Sequence, residues 1–327
     1  LVTDIKYNAD SNGGNISFKV DRSSIRQGNA VIAIKDVSDA ILWSWHVWVT
    51  DEDINNVIEI TNHQNVKYNF MPVNLGQCDG NTITYEERSC KVKFIAGDQS
   101  KEITIKQLAN VIATGSNAPF YQWGRKDPLY PSNGMGNTTK IWYDKEGIPS
   151  TANPMKGTFS AGNDCIKNCI LNPNLMHNRY NGDYTYYNLW SADNKTTSAN
   201  DNPVNKTIYD PCSVGFKLPA SNAFTGFTTT GESVSSSTQV NGTWSSSEKG
   251  WYFYTNSEKT QSIFFPALGY RSYSTMRPGS IGTQGCFWSA HPVAKGNNYY
   301  LRTSSVDVQP TYMVDRGFGY ALRPCQD

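Results

Sequence analysis

The run IGTQGCFWSAHPVAKGNNYYLRTSSVDVQPTYMVDRGFGYALRPC, residues 281–325, decides how the chain is read. It sets two strand-like runs, 297–309 and 317–325, beside a tryptophan, several tyrosines and a cysteine near the end. An earlier stretch, Gly242-Thr-Trp244-Ser-Ser-Ser-Glu, echoes its opening, Gly285-Cys-Phe-Trp288-Ser-Ala. Period-two alternation of apolar and polar residues marks strands that bury one face. The segment therefore predicts a chain that closes on a β-hairpin.

Working outward, the same period recurs. Ile16-Ser-Phe18-Lys-Val20 alternates, and Ala30–Ile34 is a short apolar run after the turn residues Gln27-Gly28-Asn29. In Ile41–Val49 the side chains of Trp43, Trp45, Val47 and Val49 share one face while His46 and Trp48 share the other, which predicts a central strand with His46 as a satisfied core histidine. Tyr68–Gly76 reads as a strand and turn. Cys90–Ile95 and Glu102–Gln107 flank Gly97-Asp98, a hairpin signal. Trp251–Tyr254 and Ser262–Gly269 form a further strand pair across a polar turn, and 228–241 reads as an exposed Ser/Thr-rich loop. Helical signal is thin. It is confined to 161–171, with Asn163 or Asp164 as N-cap, to a possible start near Asp183, and to Ser221. Residues 131–207 are otherwise rich in loop formers. Arg125, beside the Asp127-Pro128 turn, is expected to pair with a carboxylate.

At 327 residues a large core and one or two domains are expected. Twenty-nine Lys+Arg against 28 Asp+Glu leave no basic excess, which argues against a nucleic-acid surface. Charged residues are 17% and aromatics 13%, with 19 Tyr and 9 Trp among many Asn, Ser, Thr and Gly; this is the balance of an extracellular β-rich protein. Tyrosine and tryptophan offer contact area at small entropic cost, and they also fill cores. No apolar run is long enough to predict a membrane span. The opening Leu1-Val-Thr-Asp lacks a signal-peptide pattern, so a mature or trimmed chain is expected. Of seven cysteines, Cys212 with Cys325 and Cys78 with Cys90 are the expected bridges, with a local Cys165–Cys169 bridge or buried thiols as alternatives, because spacing does not fix connectivity.

Catalytic signatures are missing: there is no HExxH, GxSxG, P-loop or GxGxxG. The acidic run from Asp51 departs from a calcium loop at Asn56 and Asn62. Cys165-Ile-Lys-Asn-Cys169 lacks a second ligand pair for zinc, and the four histidines are scattered, so neither metal nor cofactor is expected.

WSWHVWVTD (43–51), FMPVNLG (70–76), YQWGRKDP (121–128), YDPCSVGFKLP (209–219), IFFPALGYR (263–271), CFWSA (286–290) and GYALRP (319–324) occur in this order. Together they resemble the Fibrobacter succinogenes major paralogous domain and the fimbrillin-associated surface proteins of Bacteroidetes. The resemblance implies an α+β, β-rich, C-type-lectin-like domain with long loops over residues 41–327. It is preceded by an N-terminal β segment, 1–40, that ends an Ig-like unit, and carries a hairpin insertion at about 76–110. It also implies secretion or surface display, no enzyme activity, and a bridge from Cys212 to Cys325. The calcium-binding EPN, QPD and WND tripeptides of sugar-binding lectins are not in this sequence, so calcium-mediated sugar binding is not implied. Formylglycine-generating enzymes share the fold class, and Cys286 with Cys325 would be their reactive pair here.

Residues 285–324 are also similar to the variable segment of target proteins of diversity-generating retroelements. Scaffold-like pieces, FWSA and RGFGYALRP, alternate with idiosyncratic ones. Because strand neighbours point to opposite faces, Leu301 is expected inward and Tyr300 and Arg302 outward. A bulge near Ser304-Ser305 then turns Val306 and Val308 inward and Asp307 and Gln309 outward. The candidate binding face is His291, Asn297, Tyr300, Arg302, Asp307, Gln309, Tyr312 and Asp315, with Arg316, Arg323, Trp244 and Trp288 structural. The function expected is that of a secreted, cell-surface or phage virion-surface adhesin that recognises a protein or glycan on a cell surface. An assembly subunit of a pilus, without its own ligand, is the alternative.

Overall fold

The alternating aromatics of Gly250–Tyr254 and Ser262–Pro266 build the centre of the molecule. In the computed structural model, which describes residues 2–23, 25–78, 82–113, 117–131, 142–143, 149–150, 156–158, 162–177, 188–293 and 296–327, these two strands pair antiparallel, and Gly242–Ser245 joins on the other side of Gly250–Tyr254. Trp251, Phe253, Ile263 and Phe265 take the buried positions. Phe265 meets Phe70, Phe227 and Phe287 edge-on at 6.2, 5.0 and 5.0 Å, and Phe227 stacks on Phe253 at 3.9 Å. Truncating a phenylalanine so enclosed costs about 3–5 kcal/mol. The expected loop at 228–241 is half structural: Val234 and Val240 are buried, and Val234 bridges to Val308.

A second three-stranded antiparallel sheet, Gly285–Pro292, Asn297–Thr303 and Val308–Asp315, opens on the segment that echoes Gly242–Ser245. Each echo therefore starts a three-stranded meander. Every residue of Gly285–Pro292 is buried. Its two faces serve two aromatic clusters, which is why the run is small or apolar at every step. Phe287, Leu301 and Val308 join the cluster around Phe265. Cys286, Trp288 and Tyr300 join Trp123, Trp190 and Tyr320. Trp288 donates its indole N–H to the Tyr121 carbonyl at 2.8 Å, and Trp123 donates to Ser289 at 3.2 Å. The chain end is tied down in a sheet of order Phe216–Lys217, Cys325–Gln326, Lys67–Phe70 and Ile58–Thr61.

Gly28–Lys35 pairs along its length with Ile41–Val49, so residue 40 falls at the end of the turn of one hairpin. Among the described residues this sheet has two strands, so Ile41–Val49 is not central. It docks instead through polar chemistry. Buried Lys126 lies 2.7 Å from Asp127 and 4.4 Å from the Trp43 ring centroid, and Ser44 donates to Asp127 at 2.8 Å. His46 is satisfied as expected, with Asn29 Oδ1 at 2.8 Å and the Tyr121 hydroxyl at 3.0 Å. Arg88–Ala96 and Gln99–Gln107 form the hairpin that Gly97-Asp98 predicts, and Phe94, Ile95, Ile103 and Ile105 on it stand exposed.

The expected α+β class is corrected to mostly β: among the described residues 43% are strand and 7% helical. The one α-helix among the described residues is Gly162–Leu171, and the Ser221 signal yields a 3-10 segment, Ser221–Phe227. The aromatic and β-branched residues alternate too consistently to leave longer 3.6-period stripes. The possible helix start at Asp183 lies outside the described residues. No described helix is long and apolar enough to cross a membrane. The disulfide expectations are likewise corrected, since no cysteine pair lies at disulfide distance. Cys90 sits on the exposed hairpin opposite Ile105, while Cys78 bridges by its backbone to Asn117. Cys212 and Cys325 are both buried as thiols.

Buried arginines hold the loops. Arg125 was expected to meet a carboxylate. It donates instead to the carbonyls of Leu175 and Pro173 and to Gln122 Oε1. Arg323 donates to Asn74 Oδ1 at 2.7 Å and to the carbonyls of Pro72 and Phe264 at 2.8 and 2.7 Å. Arg271 grips the carbonyls of Tyr130 and Met276, and Arg316 reaches Asn298 Oδ1 at 2.6 Å. A guanidinium carries five donors in a planar fork, so it can satisfy several orphaned carbonyls at once.

Candidate functional site

Strand alternation on the C-terminal sheet puts Cys286, Trp288, Tyr300, Arg302, Gln309 and Tyr312 on one face. Trp288 is opposite Tyr300, Cys286 opposite Arg302, Tyr300 opposite Tyr312, and Arg302 opposite Gln309. The inner part of this face is covered by Tyr320, whose ring centroid lies 4.6 Å from that of Tyr300. The outer margin is open. There Tyr312 is 45% exposed and Arg302 and Gln309 are half-buried. Arg302 Nη1 donates to Asp307 Oδ1 at 3.1 Å and to Gln309 Oε1 at 3.2 Å, and its guanidinium lies 5.9 Å from the Tyr312 ring centroid. Asp307 is held in turn by the Ser304 hydroxyl at 2.9 Å. Tyr300 meets Tyr312 edge-to-face at 5.7 Å, and burial raises the pKa of the Tyr300 phenol. The margin thus presents a phenol, a guanidinium, an amide and a carboxylate in fixed relation.

Three predicted members fall elsewhere. His291 is fully buried and faces Ser221, whose backbone N–H donates to Nδ1 at 3.3 Å; burial lowers its pKa to about 4. Both faces of Gly285–Pro292 are covered, so the strand has no outward position to give it. Asn297 and Asp315 face each other at the far end of the sheet, where Asp315 Oδ1 accepts from the Gly317 backbone at 2.7 Å and shapes a turn. The residues brought together are therefore Tyr300, Arg302, Asp307, Gln309 and Tyr312, but Tyr300, expected outward, is buried because Tyr320 packs over it. Leu301 and Val308 point inward as expected. Val306, expected inward, is 56% exposed because Ser304–Asp307 is the connecting turn, closed by Ser304 N–H to the Asp307 carbonyl at 2.8 Å.

A second cluster went unseen in the sequence. Cys165 and Cys169, four apart on the helix Gly162–Leu171, share one helical face. The chain then turns at Asn172, with Leu175 N–H bonded to the Asn172 carbonyl at 3.0 Å, and the strand Leu175–His177 folds His177 back beside them. Ligand atoms of Cys165, Cys169 and His177 all lie within 4.8 Å of one another. The YQWGR motif fixes this turn. Gln122 donates to the His177 carbonyl at 2.9 Å and accepts from its N–H at 3.0 Å, while Arg125 grips the carbonyls just before it. Gly124 makes that approach possible, with φ +81° and Leu189 packed where a Cβ would stand. A hydrogen bond from Cys165, the Arg125 charge and His177 hold the Cys169 thiol well below the usual thiol range. Two thiols and an imidazole form a soft donor set able to hold a metal. The signal in the sequence was a histidine shortly after CIKNC across an Asn-Pro turn.

Comparison with family models, with curated proteins and with solved structures finds no match for this chain.

Proposed function

We propose that the chain is a secreted or surface-displayed recognition protein that binds a protein or glycan on a cell surface through the open margin formed by Arg302, Gln309 and Tyr312. The observation that carries this reading is the split of one sheet face. Its inner half is locked under Tyr320, while its outer half offers an aromatic ring and a planar cation to solvent. Tyrosine and arginine dominate the energetic centres of interfaces. A margin on a sheet buried on both sides is preorganised, which limits the ordering cost of binding. Cys286 and Cys325 are buried, and burial pushes both thiols up to about 12, which speaks against the alternative of a cysteine enzyme. The resemblance to retroelement-diversified proteins fits the same margin. Arg302, Gln309 and Tyr312 can change without touching Leu301 or Val308, which belong to the core.

The test is binding of the purified chain to immobilised glycans and cell-surface proteins, alongside an Arg302→Ala/Tyr312→Ala variant of unchanged melting temperature. Loss of binding by tenfold or more, about 1.4 kcal/mol, is expected. Equal binding by the variant overturns the reading.

A second reading, an assembly subunit, is favoured by the hairpin Arg88–Ala96 with Gln99–Gln107, whose sheet has two strands among the described residues and whose Phe94, Ile103 and Ile105 are exposed. Open edges of this kind accept a further strand. Concentration-dependent polymerisation that Ile103→Lys abolishes supports it, and a monomer at all concentrations counts against it.

A further inference from the structure

We propose that Cys165, Cys169 and His177 bind one soft d10 cation, Cu+ or Zn2+, through two sulfurs and one imidazole nitrogen. The site is separate from the recognition margin, and its argument does not depend on it. Three ligand atoms within 4.8 Å of one another need only small side-chain adjustments to reach a common ion, given metal–sulfur and metal–nitrogen distances of about 2.3 and 2.0 Å. Thiolate and imidazole donors select copper(I) and zinc over hard cations. The spacing is also that of a built site. Two ligands ride one helical face, and the third is fixed by a reciprocal pair of hydrogen bonds between its own backbone and the Gln122 amide. Such outer partners are what hold metal ligands in register. Cys169 is only partly covered, and a cavity of about 10 Å³, room for about one water, lies beside Cys165 and Cys169.

Charge distinguishes the two cations. Two thiolates and a neutral imidazole around Cu+ leave one negative charge, and the Arg125 guanidinium is held close by, on the Leu175 and Pro173 carbonyls just before His177. Around Zn2+ the set is neutral, Arg125 is uncompensated, and a fourth ligand is wanted. Copper(I) is therefore the preferred occupant. Binding requires loss of the two thiol protons, which pass to solvent, and no redox step is involved. The ion would fasten the helix to the strand Leu175–His177.

The experiment uses the full reduced chain under anaerobic conditions. It is titrated with Cu+ against bicinchoninate and separately with Zn2+ against a chromophoric chelator, and X-ray absorption counts sulfur and nitrogen neighbours. One equivalent with two sulfurs and a nitrogen is expected. Cys169→Ser should weaken binding by more than the roughly 10–100-fold that follows loss of a supporting partner, whereas Cys90→Ser should not change it. Copper alone, or zinc at the same stoichiometry, identifies the cation and supports the site. Should Cys169→Ser misfold, the wild-type chain still decides: metal must protect the half-buried Cys169 from iodoacetamide while exposed Cys90 keeps reacting. Failure to take up one equivalent, equal affinity in Cys169→Ser, absence of protection, or a Cys165–Cys169 disulfide in the chain as isolated overturns the proposal.

Discussion

Tyr300 and Tyr312 face each other across adjacent strands, ring centroids 5.7 Å apart and planes at 65°, one ring buried against Trp288 and Tyr320 and the other half in solvent. The buried ring is a platform for the exposed one, so the two should respond differently to truncation. Tyr300→Ala should cost about 3 kcal/mol of stability, as expected for an enclosed aromatic. Tyr312→Ala and Arg302→Ala should each cost less than about 1 kcal/mol. Urea unfolding of the three variants checks this. A destabilised Tyr312→Ala would show that the margin is part of the core and not a surface for partners.

Arg323 offers a second test. It sits 4.3 Å over the Phe265 ring and donates to three backbone carbonyls and to Asn74. Lysine keeps the charge but cannot fork, so Arg323→Lys should leave acceptors unpaired and cost about 3 kcal/mol. Equilibrium denaturation measures it, and an unchanged midpoint would contradict the strut role.

Acid should destabilise the fold through its histidines. Burial lowers the pKa of His291 to about 4, and that of His46 likewise to about 4. Unfolded histidine titrates near 6.5. Between those values the unfolded chain binds more protons, so stability is complete above about pH 6.5 and declines as pH falls toward 4. For His291 the full loss is roughly 3 kcal/mol. Denaturation midpoints across this range should fall less steeply in His291→Gln than in the wild type; parallel curves would place the titration elsewhere.

The cysteines should sort by burial. Cys90 is exposed and should react at once with a thiol reagent in the native protein. Cys286 and Cys325, pushed up to about 12 by burial, should react only after denaturation. Peptide mapping without reduction should find no Cys212–Cys325 bridge, and finding one would refute the thiol assignment.

Much of the fold could be read from local chemistry. The hairpin at Gly97-Asp98, the helix over CIKNC, inward Leu301 and Val308, and the satisfied His46 each follow from signals within a few residues. Apart from Val306, exposed by the short turn Ser304–Asp307, the failures at the site are non-local. His291 is buried because both faces of Gly285–Pro292 are covered by distant parts of the chain, and its partner Ser221 lies 70 residues away. Arg125 was paired in expectation with a carboxylate because charge is visible in a sequence, whereas carbonyls are carried by every residue and cannot be singled out. The Cys165, Cys169 and His177 cluster depends on the turn at Asn172, and Gln122 pins His177 after it from 55 residues upstream. Cysteine pairing was argued from position in the chain, while the structure leaves Cys212 and Cys325 as thiols inside an aromatic core.

The loops tied by Arg125, Arg271 and Arg323 are fastened through main-chain oxygens. An anchor that grips the peptide itself is indifferent to which amino acid supplies it. The chain can therefore rewrite the decoration of those segments over evolutionary time, or at an engineer's bench, while their paths through space are inherited unchanged.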